Sequence, residues 1–224
     1  MSCLVSLIKI VITGGNKGGT GKTTTTALLT EYLTYQNKKV NLIDTDPSCA
    51  LQIWVSNCQE EGRIVSSRFP VDYQIIDTAG VSGGSLGYIK QADIIIVPFV
   101  PNYIDLQVII PWYNSLTWEQ KKKVFFLPNR YQKTKEQKDG LEQLESETGR
   151  DEKTGKEMKL AKEKKKQLSK VLSPLSSRPA LYGSILNGSK KNFFTNRSNS
   201  NQAEEIFIEL FKKYEKNKKS NKSY

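Results

Sequence analysis

The sequence predicts a doubly wound α/β domain on a mainly parallel sheet. Three observations predict it: strand-like runs that are apolar along their whole length, helix-capable stretches between them, and a glycine-rich loop joining the first strand to the first helix. The strand-like runs are 7-LIKIVIT-13, 39-KVNLIDT-45, 73-YQIIDTA-79, 93-DIIIVPFV-100 and 123-KVFFLPN-129, with a last candidate at 180-ALYGSILNG-188. Strands without polar alternation suit a sheet covered on both faces. Helix-capable stretches lie near 23–36, 47–57, 84–91, 104–121 and 134–147. Short right-handed crossovers would place the glycine loop at the carboxyl edge of the sheet.

The first run, β-branched and apolar, reads as a buried strand. Lys9 interrupts the apolar start, so it reads as a core strand rather than a signal peptide or membrane span. The loop 13-TGGNKGGTGKTTTT-26 follows, and then a helix with Ala27, Leu28, Leu29 and Leu33 as its apolar stripe. Strand, glycine loop and helix make a phosphate cradle, because successive backbone N–H groups and the helix N-terminus point at an anion. Gly18, Gly19, Thr20 and Gly21 would form the cradle, Lys22 would reach the β/γ-phosphates, and the Thr23 hydroxyl would ligate Mg²⁺. The G-x-x-x-x-G-K-[ST] spacing is not met, since Asn16 stands at its first glycine and a second lysine, Lys17, precedes Gly18. The fold class is therefore the P-loop NTPase type with a deviant Walker A loop.

Two carboxylate motifs end strands: Asp44-Thr45-Asp46-Pro47 and Asp77-Thr78-Ala79-Gly80. Strand carboxyl ends in a parallel sheet face the ligand crevice, where a carboxylate can hold Mg²⁺ or orient water. A single such Asp is as often a helix cap or turn former. Two of them downstream of one phosphate loop point to the site.

Together K-G-G-T-G-K-T, D-T-D-P and D-T-A-G resemble the deviant Walker A ATPases of the ParA/MinD family, and 94-IIIVPFVPNYIDLQ-107 is similar to that family's strand and proline turn. The resemblance runs through about residues 7–130 and weakly through 180–215. Its nearest look is to small ParA-type proteins without an N-terminal DNA-binding domain, which position plasmids or protein bodies such as carboxysomes. It implies ATP and Mg²⁺ as cofactors and an ATP-sandwich homodimer. In such a dimer Lys17 would be the signature lysine, reaching the partner's phosphates, while Lys22 serves its own subunit's nucleotide. It further implies that Asp46 orients water, that Asp44 supports Asp46 or the metal, and that Asp77 holds Mg²⁺ with Thr23. Thr24 would lie near the α-phosphate and Asn129 at the adenine edge, although a strand-ending Asn is often only a turn former. Partners implied are nonspecific DNA and a cargo adaptor of ParB-like or McdB-like role, with a cytoplasmic, nucleoid-associated location. Two departures stand out: the link from Asp46 to Asp77 is short, and Ser48 replaces the family's common glutamine.

At 224 residues the chain holds one good-sized α/β domain, expected over 1–211, with a basic tail at 212–224 expected to be disordered. The absence of histidine excludes histidine-based acid/base chemistry and metal ligation. Three cysteines without a C-x-x-C pair read as reduced thiols and argue against a cluster or metal carrier. The formal net charge of +11 favours a polyanion. An insert at 153–170 holds eight lysines against two glutamates, and the tail six lysines against one. Lys162, Lys165 and Lys166 in the insert, with Lys190, Lys191 and Arg197 before the last helix, are the DNA-binding candidates. A solvated helix face is the plainer reading. The stripe Ile206, Phe207, Leu210, Phe211 and Tyr214 also admits a MinD-like membrane anchor, but a terminal helix packed on the sheet gives the same stripe. A membrane partner is therefore not the favoured reading.

Overall fold

The computed structural model describes residues 7–80, 86–149 and 169–220. Its strands are β1 (Ile8–Ile12), β2 (Val40–Asp44), β3 (Tyr73–Asp77), β4 (Ile94–Phe99) and β5 (Val124–Pro128). They form one parallel sheet in the order β2-β3-β1-β4-β5. Period-two alternation splits each strand between two cores: Ile10 and Ile12 face one side and Val11 the other, while Ile94 and Ile96 oppose Ile95 and Val97. Both faces are covered, which is why these strands carry no polar alternation.

On one face lie α1 (Lys22–Tyr35), α2 (Ala50–Glu60), α7 (Pro179–Ser184) and α8 (Arg197–Ser220). On the other lie α3 (Leu86–Gln91), α4 (Tyr103–Ser115) and α6 (Lys135–Thr148). The stretch read as one helix over 104–121 is two, α4 and the short α5 (Trp118–Lys121). Leu116 takes an extended ψ of 149°, and a Thr117/Gln120 capping box restarts the chain.

Two expectations are corrected. Residues 180–188 are not a strand but α7 and a 3-10 turn over Ile185–Asn187. Leu181, Tyr182, Ile185 and Leu186 recur at helical spacing, Pro179 opens the helix where its missing N–H costs nothing, and Gly188 at φ +78° stops it. The segment beside β5 is instead 171–176, through bridges Phe126–Val171 and Tyr131–Ser176. The second correction concerns the tail, since residues 212–220 continue α8 as helix rather than forming a disordered end.

The amphipathic stripe of α8 is core. Ile206, Phe207 and Leu210 are buried, and Tyr32 of α1 meets the Phe207 and Phe211 rings at 5.4 and 6.3 Å. The short link between β2 and β3 leaves β2 at the sheet edge, where 66–67 covers it. Ser67 donates its N–H to the Val40 carbonyl at 2.7 Å, and the Leu42 N–H reaches Ser66 Oγ at 3.2 Å. Among the described residues no helix is long and apolar enough to cross a membrane.

Candidate functional site

The register brings the sequence motifs together. Ile12 pairs with Asp77 and Asp77 with Asp44, so the ends of β1, β3 and β2 are level. The glycine loop leaves β1 at that edge and α1 starts from it. Gly21 caps α1 in the left-handed region with no side-chain cap, which leaves the first-turn N–H groups for an anion. Gly18 and Gly19 are exposed on the open rim of the loop.

Two other elements brace this loop. A Cβ on Gly80 would lie 2.9 Å from Gly18 Cα, so the loop after Asp77 presses directly on the phosphate loop. A Cβ on Gly21 would lie 2.2 Å from the Asn129 amide nitrogen at φ +92°, a position closed to any side chain. Asn129 is buried; it donates to the Thr20 carbonyl at 3.2 Å and accepts from the Arg130 N–H at 2.8 Å. Its side chain thus ties the end of β5 to the phosphate loop. The Thr20 hydroxyl is buried close to Gly14 and finds no partner there.

The charged groups are arranged unequally. Lys22 is buried, with Nζ 3.4 Å from the Lys17 carbonyl. Asp44 is spent on backbone: one oxygen accepts the Asp46 N–H at 2.9 Å, the other the Leu51 and Gln52 N–H groups at 3.1 and 3.3 Å. It caps α2 and fixes the turn that presents Asp46. Asp46 accepts the Ser48 N–H at 3.0 Å, and that bond, then the Ser48 hydroxyl, Lys22 and the Gly80 N–H, hold its carboxyl below the usual range. It is an exposed anion at neutral pH, between the two loops.

Asp77 is the opposite case. It is 1% exposed, and neither carboxylate oxygen has a protein partner within hydrogen-bond distance. Burial pushes its pKa up to about 7, with Asp44 and Asp46 adding to the rise and the nearby Thr23 hydroxyl and Lys22 opposing it. An orphaned buried carboxylate beside a hydroxyl fits a hard divalent cation. Among the described residues no group of three or more His, Cys, Asp and Glu side chains gathers as a metal cage. The donor set suits Mg²⁺, which keeps waters and takes phosphate oxygens, rather than an all-protein site.

The structure also supplies a residue that sequence reading missed. Lys17 is paired in its own subunit with Asp105 in the first turn of α4. Asp105 is 2% exposed, and its second oxygen accepts the Val100 N–H at 2.9 Å. Its own N–H donates to Asn102 Oδ1 at 2.8 Å, the N-cap of α4. The spacing Asn102-x-x-Asp105 signals a cap, and nothing in it signals a lysine partner. Thr24 sits half-buried in the first turn of α1. Lys190, Lys191 and Arg197 are exposed and lie away from this crevice, on the segment leading into α8, while Lys162, Lys165 and Lys166 fall outside the described residues.

A parallel sheet with this loop, a Lys-Thr pair at a helix start and carboxylates at the neighbouring strand ends defines a P-loop nucleotide-binding domain. The chain belongs to the CobQ/CobB/MinD/ParA nucleotide binding domain family, which it matches over residues 10–216. It is 29% identical over 116 residues to Protein ParA of Rhizobium radiobacter, a match spanning 44% of this chain and 52% of that protein. The match thus takes in about half of the relative's length. Among solved structures it resembles a Borrelia burgdorferi B31 protein, provisionally assigned to plasmid partition and bound to AMPPNP. There the TM-score is 0.64 and the identity 18%, covering 93% of this chain and 100% of that one. It also resembles apo McdA from Cyanthece, with TM-score 0.63 and 15% identity over 93% of this chain and 99% of that one. At these identities the structural likenesses establish the fold.

Proposed function

We propose that this chain is a Mg²⁺-dependent ATPase of the ParA type, which dimerises around ATP, binds DNA without sequence preference and positions or segregates a cargo. The observation that carries the reading is one crevice holding the uncapped helix N-terminus, buried Lys22, anionic Asp46 and orphaned Asp77. Structural neighbours are known with nucleotide in place, among them MinD of Pyrococcus horikoshii OT3 with Mg-ADP and a substituted McdA of Cyanothece in complex with ATP. Here the loop N–H groups and Lys22 would hold the phosphates, and Thr23 and Asp77 the Mg²⁺, which would neutralise charge on the transferred phosphoryl group. Asp46, held anionic, would orient the attacking water. Lys17 would reach the partner subunit's phosphates, so that ATP joins the dimer and hydrolysis releases it.

DNA binding rests on the +11 charge and on the exposed Lys190, Lys191 and Arg197, which dimerisation would double. The cargo, a plasmid or a protein body such as a carboxysome, would bring an adaptor that stimulates hydrolysis, and the protein would then be nucleoid-associated. A MinD-like membrane role is the second reading, but the stripe that would carry it is buried against α1.

The test is binding to a random-sequence duplex at several salt concentrations, without nucleotide, with ADP, and with ATP on an Asp46→Ala background. The proposal expects binding with ATP alone. Neutralising six phosphates would cost about a thousandfold in affinity between 50 and 200 mM salt. No binding in any state would overturn the DNA reading, and liposome co-sedimentation would then decide the membrane one. Asn129→Ala is expected to weaken binding of a fluorescent ATP analogue about five- to tenfold by freeing the Thr20 carbonyl, one buried hydrogen bond's worth. An unchanged affinity would show the brace to be dispensable.

A further inference from the structure

We propose that Asp105 is a positioning residue that holds Lys17 inside its own subunit, and that exchange of Asp105 for the partner's phosphates makes dimerisation depend on the γ-phosphate. The inference rests on the sandwich-dimer reading above. Asp105 is 2% exposed and has only three neighbours that matter: Lys17 on one oxygen, the Val100 N–H on the other, and Asn102 fixing its backbone. Lys17 sits at the tip of the glycine loop, its side chain 27% exposed, so it can leave without unfolding the core.

The consequence is an exchange with a built-in threshold. When Lys17 crosses to a second copy, Asp105 is left buried with one N–H donor, and an unpaired buried charge is costly. Dimerisation must offset that cost with lysine–phosphate contacts. A nucleotide with a γ-phosphate offers more negative charge to an incoming lysine than one without it, so the same pair that restrains the monomer discriminates ATP from ADP. Without the Asp105 charge the restraint and the discrimination both fall. The first turn of α4 also carries Tyr103 and Ile104, exposed at 65% and 66%, beside the departing lysine. An incoming copy would therefore meet an apolar surface where Lys17 is released.

The experiment uses the full chain as wild type, Asp105→Asn and Asp105→Glu. Asn keeps an acceptor for the Val100 N–H and removes the charge, while Glu restores the charge one methylene further out. Two readouts are taken. The first is the rate at which an amine-reactive ester modifies Lys17 in nucleotide-free monomer, read by peptide mass spectrometry against exposed Lys191. Lys17 is expected to react about tenfold more slowly than Lys191 in wild type and Asp105→Glu, and comparably to it in Asp105→Asn. The second is the dimer dissociation constant by sedimentation with AMPPNP or ADP. Asp105→Asn is expected to dimerise about tenfold more tightly with AMPPNP and detectably with ADP. Equal labelling of Lys17 and Lys191 in wild type would overturn the restraint even if the variant failed to fold. A wild-type dimer whose constant Asp105→Asn leaves unchanged, or weakens, would overturn the exchange while leaving the dimer reading intact. No wild-type dimer with AMPPNP would sink the dimer reading itself, and the exchange with it.

Discussion

Replacing Lys22 by alanine is expected to lower ATP turnover about a thousandfold, the upper end for removing one preorganised charge from a transferring group. The structure gives reasons beyond the presence of a lysine. Lys22 begins α1, so its backbone is fixed by the helix, and the side chain folds back into the loop until Nζ lies 3.4 Å from the Lys17 carbonyl. Its charge acts on both carboxylates of the crevice, lowering the pKa of Asp46 and opposing the rise of Asp77. An ammonium held there is desolvated before the nucleotide arrives, so its field on the phosphates costs little reorganisation. Arginine should not rescue the loss, because a planar fork does not fit where a compact point charge sits. Steady-state phosphate release measures the effect. Turnover within tenfold of wild type would show that the phosphates bind elsewhere.

The second large effect belongs to Asp77 and is expected as a pH dependence of the nucleotide-free protein. Its folded pKa of about 7 lies above the ordinary carboxylate value of 3.8. Below about pH 4 the carboxyl is protonated in both folded and unfolded chains, and the stabilisation from its tighter proton is fully present. Between about pH 4 and 7 the unfolded chain ionises while the folded one resists, so stability falls as pH rises. Above the folded pKa the loss is complete. The full shift is worth at most about 4 kcal/mol. Asp77→Asn should abolish this slope and stabilise the nucleotide-free protein at pH 8. The buried amide then needs partners that only Thr23 offers, which takes back about 1–2 kcal/mol, so the expected net gain is about 2 kcal/mol. Urea unfolding in EDTA at pH 5, 6, 7 and 8 reads both slopes. The same variant should lose the added stability that Mg-nucleotide gives wild type, since its one buried anionic donor is gone. Parallel slopes in the two proteins would place the titrating group elsewhere.

The sheet was legible because every strand is an unbroken apolar run, a pattern that survives without knowledge of partners. The crevice was legible for a related reason: Asp44, Asp46 and Asp77 end strands, and parallel register makes strand ends meet. Legibility failed where meaning depends on packing. Residues 180–188 carry apolar side chains at spacings that fit a strand or a helix, and only the surface offered by α1 and α2 decides. Segment 171–176 lies beside β5, yet serines and Pro174 hide it. The 212–220 lysines look like a solvated tail, but α8 continues through them, with Phe211 and Tyr214 packed on the core. Asp105 reads as a helix cap in sequence and serves as one, and its hold on Lys17 spans 88 positions. No local pattern reports a pair of that separation. Asn129 was expected at an adenine edge, whereas its visible hydrogen bonds go to Thr20 and Arg130.

The central claim is that ATP joins two copies of this chain through the crevice, and light scattering tests it most directly. Asp46→Ala, which blocks turnover, would be measured without nucleotide, with ADP and with ATP and Mg²⁺, alone and with Lys17→Ala added. The account predicts monomer without nucleotide and with ADP, dimer with ATP, and monomer again when Lys17 is also removed. A monomer in every state, or an ATP dimer indifferent to Lys17, would contradict it.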